Sequence, residues 1–250
     1  MTTHTIIDNN DALSINKGIR ELLEHAGFES YPFKVSWYNK SVEPVFHLGY
    51  HGDTLAFIII STPNMYENAF KPFVTRSKCL GVRDPIDECV AHHFDQVKNL
   101  FSGEKITCIH DFELTPTRRP KILVQTASHI AGAAYYYQRN DVKEQPTRWD
   151  KKSRIYGVCI HPKWGGWFGL RGVLIFDNVQ CPELSQTIPP DVVDTDAKKI
   201  ELLERFNNNW QDWTFRDIIP PDGRYSEEQK LYFATAPAER KKLLGIEELS

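Results

Sequence analysis

Apolar positions fall into a small number of clear runs. Within residues 11–26, Ile15, Ile19, Leu22, Leu23 and Ala26 recur at helical spacing, with Asp11 placed to cap the start and Gly27 to close the end. Phe33, Val35 and Trp37 alternate with Lys34 and Ser36, the period of a half-buried strand. Residues 55–60 are an unbroken apolar run closed by Ser61-Thr62-Pro63, which predicts a central strand buried on both faces. Asp84 and Pro85 fit the N-cap and first position of a second helix, with Ile86, Val90, Phe94, Val97 and Leu100 as its stripe. Residues 106–114 read as a strand. Residues 121–138 admit two readings, a strand-like start and then helical spacing through Ala127, Ile130, Ala131, Ala134 and Tyr137.

Residues 155–161 and 167–176 read as two strands around the turn Pro162-Lys163-Trp164-Gly165-Gly166. The glycine pair permits a sharp turn or a close backbone approach to a ligand. Residues 182–196 read as a loop. From about residue 194 to 250 helices dominate: Ile200, Leu203, Phe206, Trp210 and Trp213 mark one, Ser226-Glu227-Glu228-Gln229 is a capping box that opens another, and residues 237–244 form a short last one before Gly245. The pattern predicts an α+β fold with a mixed or mostly antiparallel sheet, in one domain over residues 1–250.

Hydrophobic residues make up 41% and charged residues 25% of the 250, which supplies one sizeable core. A net charge of −3 with no basic stripe argues against a nucleic-acid binder. The start of the chain has no basic segment followed by a long apolar run, and residues 55–60 are too short to cross a bilayer, so a soluble cytoplasmic protein with no membrane partner is expected. Cys79, Cys89, Cys108, Cys159 and Cys181 are odd in number and widely spaced, which disfavours a disulfide framework or a thiolate zinc site and makes buried free thiols the plain reading.

No phosphate loop, dinucleotide fingerprint, HExxH or GxSxG occurs. Two segments stand out instead. In residues 118–139, small residues precede Tyr135-Tyr136-Tyr137, a mixture suited to a flat ligand with polar edges, although tight helix packing with half-buried tyrosines is the plainer reading. His129-Ile130-Ala131-Gly132 has the HxxG form in which a histidine ligates cobalt in cobalamin-dependent mutases, but Ala127 stands where those carry Asp; a structural histidine is the alternative. In residues 157–172, Cys159 has no adjacent activating group and reads as inert. Arg171, Arg216 and Arg240 would suit the carboxylates of a di-acid if folding gathers them; separate salt bridges, such as Arg216 with Asp217, are the plainer reading.

At these residues the sequence resembles the CblC family of cobalamin-processing proteins. The resemblance runs in order through residues 31–39, Ser61-Thr62-Pro63, residues 118–123, 129–139 and 157–172, Asp212-Trp213-Thr214-Phe215-Arg216-Asp217 and residues 224–230. It implies a flavin reductase or nitroreductase-like fold with a large cavity for cobalamin, bound with its lower base off the cobalt. It implies removal of the upper axial ligand by two routes: decyanation by reduced FMN or FAD, with NADPH as indirect electron source, and dealkylation by glutathione thiolate. Cobalamin contacts are implied at Asp111, Ile122, Leu123, Val124, Gln125, Tyr136, Tyr137, Gln138, Cys159 and Leu170, and His129 is counted with the cobalamin-binding residues, though in that family the HxxG histidine does not ligate the lower face of cobalt. Glutathione contacts are implied at Arg171, Arg216 and Arg240. No side chain is expected to act as nucleophile or to ligate metal. A CblD-like trafficking protein is the expected partner, and monomer and ligand-dependent homodimer both stay open. The competing readings are a non-catalytic cobalamin carrier and a flavin reductase that shares only the fold; the arginine set favours the enzyme.

Overall fold

The computed structural model describes residues 4–76, 84–150, 152 and 154–246. A short strand β1 (Thr5–Ile6) leads into helix α1 (Asn9–Leu23). Its cap is Asp8, whose carboxylate accepts from the Asp11 N–H at 2.9 Å, so Asp11 sits inside the first turn, where its charge suits the helix dipole, and not at the cap position expected for it. Gly27 takes the left-handed conformation that ends this segment. Strand β2 (Phe28–Lys34) follows, and the chain then turns into helix α2 (Val35–Lys40). The alternation through Val35 and Trp37 is therefore not a strand. Asn39 bridges both ways to the Leu48 backbone, at 3.0 and 2.8 Å, and Tyr38 accepts from the Leu123 N–H at 2.9 Å, so tertiary bonds outvote the local period.

Strand β3 (Thr54–Ser61) is buried along its whole length, as its apolar run requires. A π-helical turn (Tyr66–Phe70) enters α3 (Lys71–Arg76). Helix α4 (Pro85–Leu100) starts at the expected Asp84 cap, and β4 (Ile106–His110) follows. The ambiguous region resolves as a helix then a strand: α5 (Val124–Ile130) and β5 (Tyr135–Tyr137). The two are separated by Gly132 (φ +80°), where a Cβ would lie 2.7 Å from the Thr187 carbonyl. Strands β6 (Val158–Ile160) and β7 (Gly169–Gln180) do not pair with each other; β6 pairs with β5 and β7 joins the main sheet. The last helices are α6 (Asp196–Asn209), α7 (Glu227–Ala234), capped by Ser226 as expected, and α8 (Arg240–Leu243).

The main sheet is mixed. β7 lies between β3 on one side and β1 and β4 on the other, β2 forms the far edge beyond β3, and only the β1–β7 pairing is parallel. Alternate residues of β3 feed two cores. Leu55, Phe57 and Ile59 pack with α1 and α4, while Ala56, Ile58 and Ile60 pack with α2 and α5. A third cluster joins β5, β6 and α6 around Tyr137, Ile160 and Leu203. Cys79 lies outside the described residues; Cys89, Cys159 and Cys181 are buried free thiols and Cys108 is a half-buried one. No helix among the described residues is long and apolar enough to cross a membrane.

Candidate functional site

The site starts from an irregularity in β7. Ile59 pairs with Gly172 and Ile60 with Leu170, so Arg171 is the extra residue of a bulge. Gly172 carries φ +131°, and a Cβ there would lie 2.3 Å from the Ile109 carbonyl, so only glycine allows β4 this close. The bulge turns Arg171 inward: it is buried, and its Nε donates to Ser61 Oγ at 2.8 Å. Gly169 leaves room beside it, since a Cβ there would meet the guanidinium at 2.6 Å.

Arg216 arrives from the opposite wall, on a 3-10 turn (Thr214–Asp217) that begins after the left-handed Trp213. Its guanidinium lies 4.9 Å from the Trp213 ring, 5.0 Å from Phe215, 5.2 Å from Tyr225 and 5.7 Å from Trp167. Such cation–π contacts hold a partly desolvated charge without neutralising it. Nη1 donates to the Gly166 carbonyl, and Nε is buried with no hydrogen-bond partner. Burial pushes the Arg216 pKa down, Tyr225 opposes this, and the like charge of Arg171 adds to it. The Gly165-Gly166 pair serves this arrangement: a Cβ on either would lie 2.6–2.7 Å from the Arg216 backbone. The close approach expected of these glycines is thus to the chain itself. Asp217 is not the partner of Arg216; it accepts from Trp167 at 2.8 Å and pairs with Arg224 at 2.9 Å.

Arg171 and Arg216 line one cavity of about 540 Å³, together with Asp111, Leu170, Phe206 and Tyr225. Among the described residues neither guanidinium is in salt-bridge contact with a carboxylate. Burial pushes the Asp111 pKa up and Arg171 pulls it back. Behind it, Asp87 is pushed up to about 6 by burial and by the charges of Asp111 and Asp84, against Arg171 and Arg240. Arg240 does not join the other two arginines. Its Nη1 pairs with Asp84, its Nε donates to the Thr235 carbonyl at 3.0 Å, and it does not line the cavity.

Three other cavities adjoin it in a row, each sharing lining residues with the next. One of about 280 Å³ is lined by Asp111, Val124, Gln125, Cys159, Leu170 and Arg216 among others; one of about 520 Å³ by Gln125, Tyr136, Tyr156 and Trp210; one of about 350 Å³ by Leu123, His129, Tyr136 and Gln138. Eight of the ten implied cobalamin contacts thus line these adjoining cavities, as does His129. Ile122 and Tyr137 do not. Ile122 is core, and Tyr137 is fully buried, donating to Asp191 at 2.7 Å and accepting from the Val193 N–H at 2.8 Å. The cause is strand alternation in β5, which turns Tyr136 to the groove and Tyr135 and Tyr137 away from it. His129 Nδ1 accepts from the Tyr136 N–H at 3.2 Å, so the neutral ring carries its proton on Nε2 and offers no free lone pair. Burial lowers its pKa, against the pull of Asp141. Cys159 is driven up by burial and stays a thiol. The aromatic walls around Arg216 and the Ser61 partner of Arg171 were missed in the sequence; the spacing of Trp210, Trp213 and Phe215 was the available signal.

Residues 27–244 match the model of the methylmalonic aciduria and homocystinuria type C family. This chain belongs to that family. A Gallus gallus relative named cyanocobalamin reductase / alkylcobalamin dealkylase is 56% identical over 220 residues, covering 88% of this chain and 91% of its own. The Homo sapiens protein of the same name is 50% identical over 232 residues, covering 93% and 81%. A crystal structure of a C. elegans B12-trafficking protein CblC superposes with a TM-score of 0.83 at 36% identity, over 96% of this chain and 98% of that one. The family to which the sequence blocks pointed is the one found.

Proposed function

We propose that this protein binds cobalamin across the adjoining cavities and removes its upper axial ligand, as a cytosolic enzyme that then passes the product to a CblD-like trafficking partner. The names carried by its relatives support the substrate. The observation that carries the chemistry is the pair of guanidiniums, buried Arg171 and half-buried Arg216, in one cavity without a carboxylate in salt-bridge contact. Holding two like charges together in a partly desolvated space is costly unless an anion arrives. Glutathione, with two carboxylates and a thiol, suits that demand.

In this reading Arg171 and Arg216 orient glutathione by its carboxylates and favour its thiolate form, since nearby positive charge lowers a thiol pKa. The sulfur is directed at the alkyl carbon on the side away from cobalt, and positioning of this kind contributes several kcal/mol. The sulfur–carbon bond forms as the carbon–cobalt bond breaks, and the electron pair of that bond stays with cobalt. Cyanide leaves by a different route, with electrons from reduced FMN or FAD. We read the flavin as a visiting reductant fed indirectly by NADPH, on a sheet of flavin reductase or nitroreductase-like type, and assign no residue to hold it.

Anaerobic titration of the protein with methylcobalamin, with and without glutathione, tests the proposal. Binding should shift the visible spectrum to the base-off form, and glutathione should then consume the alkyl species. A base-on spectrum at saturating protein, or bound methylcobalamin inert to glutathione, would contradict it. In a parallel arm, reduced FMN should release cyanide from bound cyanocobalamin and NADPH alone should not.

A further inference from the structure

A second polar cavity, of about 380 Å³, lies in the layer of α1 and α4, between the end of α1, the π-helical turn with α3, and α4. It shares no lining residue with the four cavities of the candidate site. Its walls carry three imidazoles, His25, His92 and His93, and the guanidinium of Arg76. No aspartate or glutamate is among the described residues that line it. The remaining surface is partly apolar: Leu22 and Phe73 line it, and the His92 ring sits 5.5 Å from Phe73 and 5.4 Å from His93.

A cation is the wrong occupant. Every ionisable group on the wall is basic, and among the described residues no group of His, Cys, Asp or Glu is arranged to hold a metal ion. His93 is nearly buried and its Nδ1–H donates to the Cys89 carbonyl at 2.7 Å, which fixes the ring. Gln96 reaches His92 Nε2 at 3.3 Å and orients the second ring. We propose that this pocket binds a small organic anion, with a phosphate or carboxylate head among Arg76, His25 and His92 and a one-ring apolar body against Leu22 and Phe73. The volume is at the small end of ligand pockets, which suits such a molecule. Burial pushes the His93 pKa down, its bond to the Cys89 carbonyl opposes this, and the neighbouring basic groups His92, His25 and Arg76 add to the lowering, which places all four basic side chains within electrostatic reach of one another around Arg76, the permanent cation of the wall.

The test uses the full chain labelled in its nine histidines, with imidazole resonances assigned through single-histidine variants. Phenyl phosphate, benzoate and uncharged benzyl alcohol are the probes. One of the two anions should shift the resonances of His25, His92 and His93 saturably and leave the other histidines in place; which anion binds tighter distinguishes a phosphate from a carboxylate head. Benzyl alcohol should bind at least tenfold more weakly. Arg76 and His92 are exposed, so Arg76→Gln and His92→Ala should melt like the unmodified protein, and Arg76→Gln should weaken the anion about tenfold, as expected for loss of a charged hydrogen bond. Shifts that never saturate, benzyl alcohol binding as tightly as the anions, or unchanged affinity in folded Arg76→Gln would each overturn the proposal.

Discussion

Arg216→Lys is the sharpest perturbation of the proposed glutathione site, because it keeps the charge and removes the fork. The native guanidinium faces four rings at 4.9–5.7 Å and donates to the Gly166 carbonyl. An ammonium keeps part of the Coulomb attraction to a carboxylate, but it cannot make two parallel bonds while also reaching Gly166. Loss of one charged hydrogen bond is worth about 1.5–3 kcal/mol, which is a factor of about ten or more in affinity. The apparent KM for glutathione should therefore rise at least about tenfold, with cobalamin binding little changed. The assay is anaerobic loss of bound methylcobalamin against glutathione concentration, at fixed protein. Stability must be followed in parallel, because a weakened bond to Gly166 costs about 1–3 kcal/mol if its carbonyl is left unpaired. A folded, cobalamin-loaded Arg216→Lys protein with unchanged glutathione dependence would refute the reasoning and favour a carrier without this chemistry.

Arg240→Ala should behave in the opposite way. It unpairs Asp84, which caps α4 and accepts from Tyr232 at 2.6 Å, so about 3 kcal/mol of stability should be lost in thermal or denaturant unfolding while the KM for glutathione changes little. Glu29 predicts an acid limb. Burial raises its pKa, but bonds from His161, Tyr31 and Trp164 bring it down from 4.5 to about 2. The folded value lies below the unfolded one, so its stabilisation is present above pH 4.5 and is lost as pH falls toward 2. The shift corresponds to about 3 kcal/mol. Denaturant unfolding of Glu29→Gln should show a shallower pH dependence in that window, and an unchanged slope would count against the assignment. His129→Ala should leave the lower face of reduced bound cobalamin unaltered in spin resonance; nitrogen coupling that vanishes with the side chain would show ligation.

What was legible in the sequence was local. The run from Leu55 to Ile60 needs no partner to be read as a strand with two buried faces, and Asp84 with Pro85 states a helix start in two residues. What was not legible depends on contacts made at a distance. Val35 and Trp37 keep the strand period in the sequence, yet Asn39 bonded to Leu48 and Tyr38 bonded to Leu123 draw the segment into α2. The three tyrosines read as one aromatic block; β5 splits them, so Tyr136 faces the groove and Tyr137 is spent on Asp191 and Val193. The arginines could be nominated but not sorted. Arg171 depends on a one-residue slip between β3 and β7, which no pattern of hydrophobicity encodes, and Arg240 depends on a carboxylate 156 positions away.

The two sorted arginines reach the cavity by different means, and the difference bears on function. Arg171 is aimed by the backbone: a bulge, a glycine at φ +131° and a hydroxyl at the end of β3 leave its direction little freedom. Arg216 is aimed by side chains: rings surround it, and the glycine pair lets the turn close over its backbone. Neither device neutralises charge, and both hold a cation where burial opposes it. A structural ion pair would have placed a carboxylate against each guanidinium, as Asp84 is placed against Arg240 in the same protein. The contrast between a paired arginine outside the cavity and two caged but unpaired ones inside it is what a site for an anionic co-substrate requires, and core stability alone gives no reason for it.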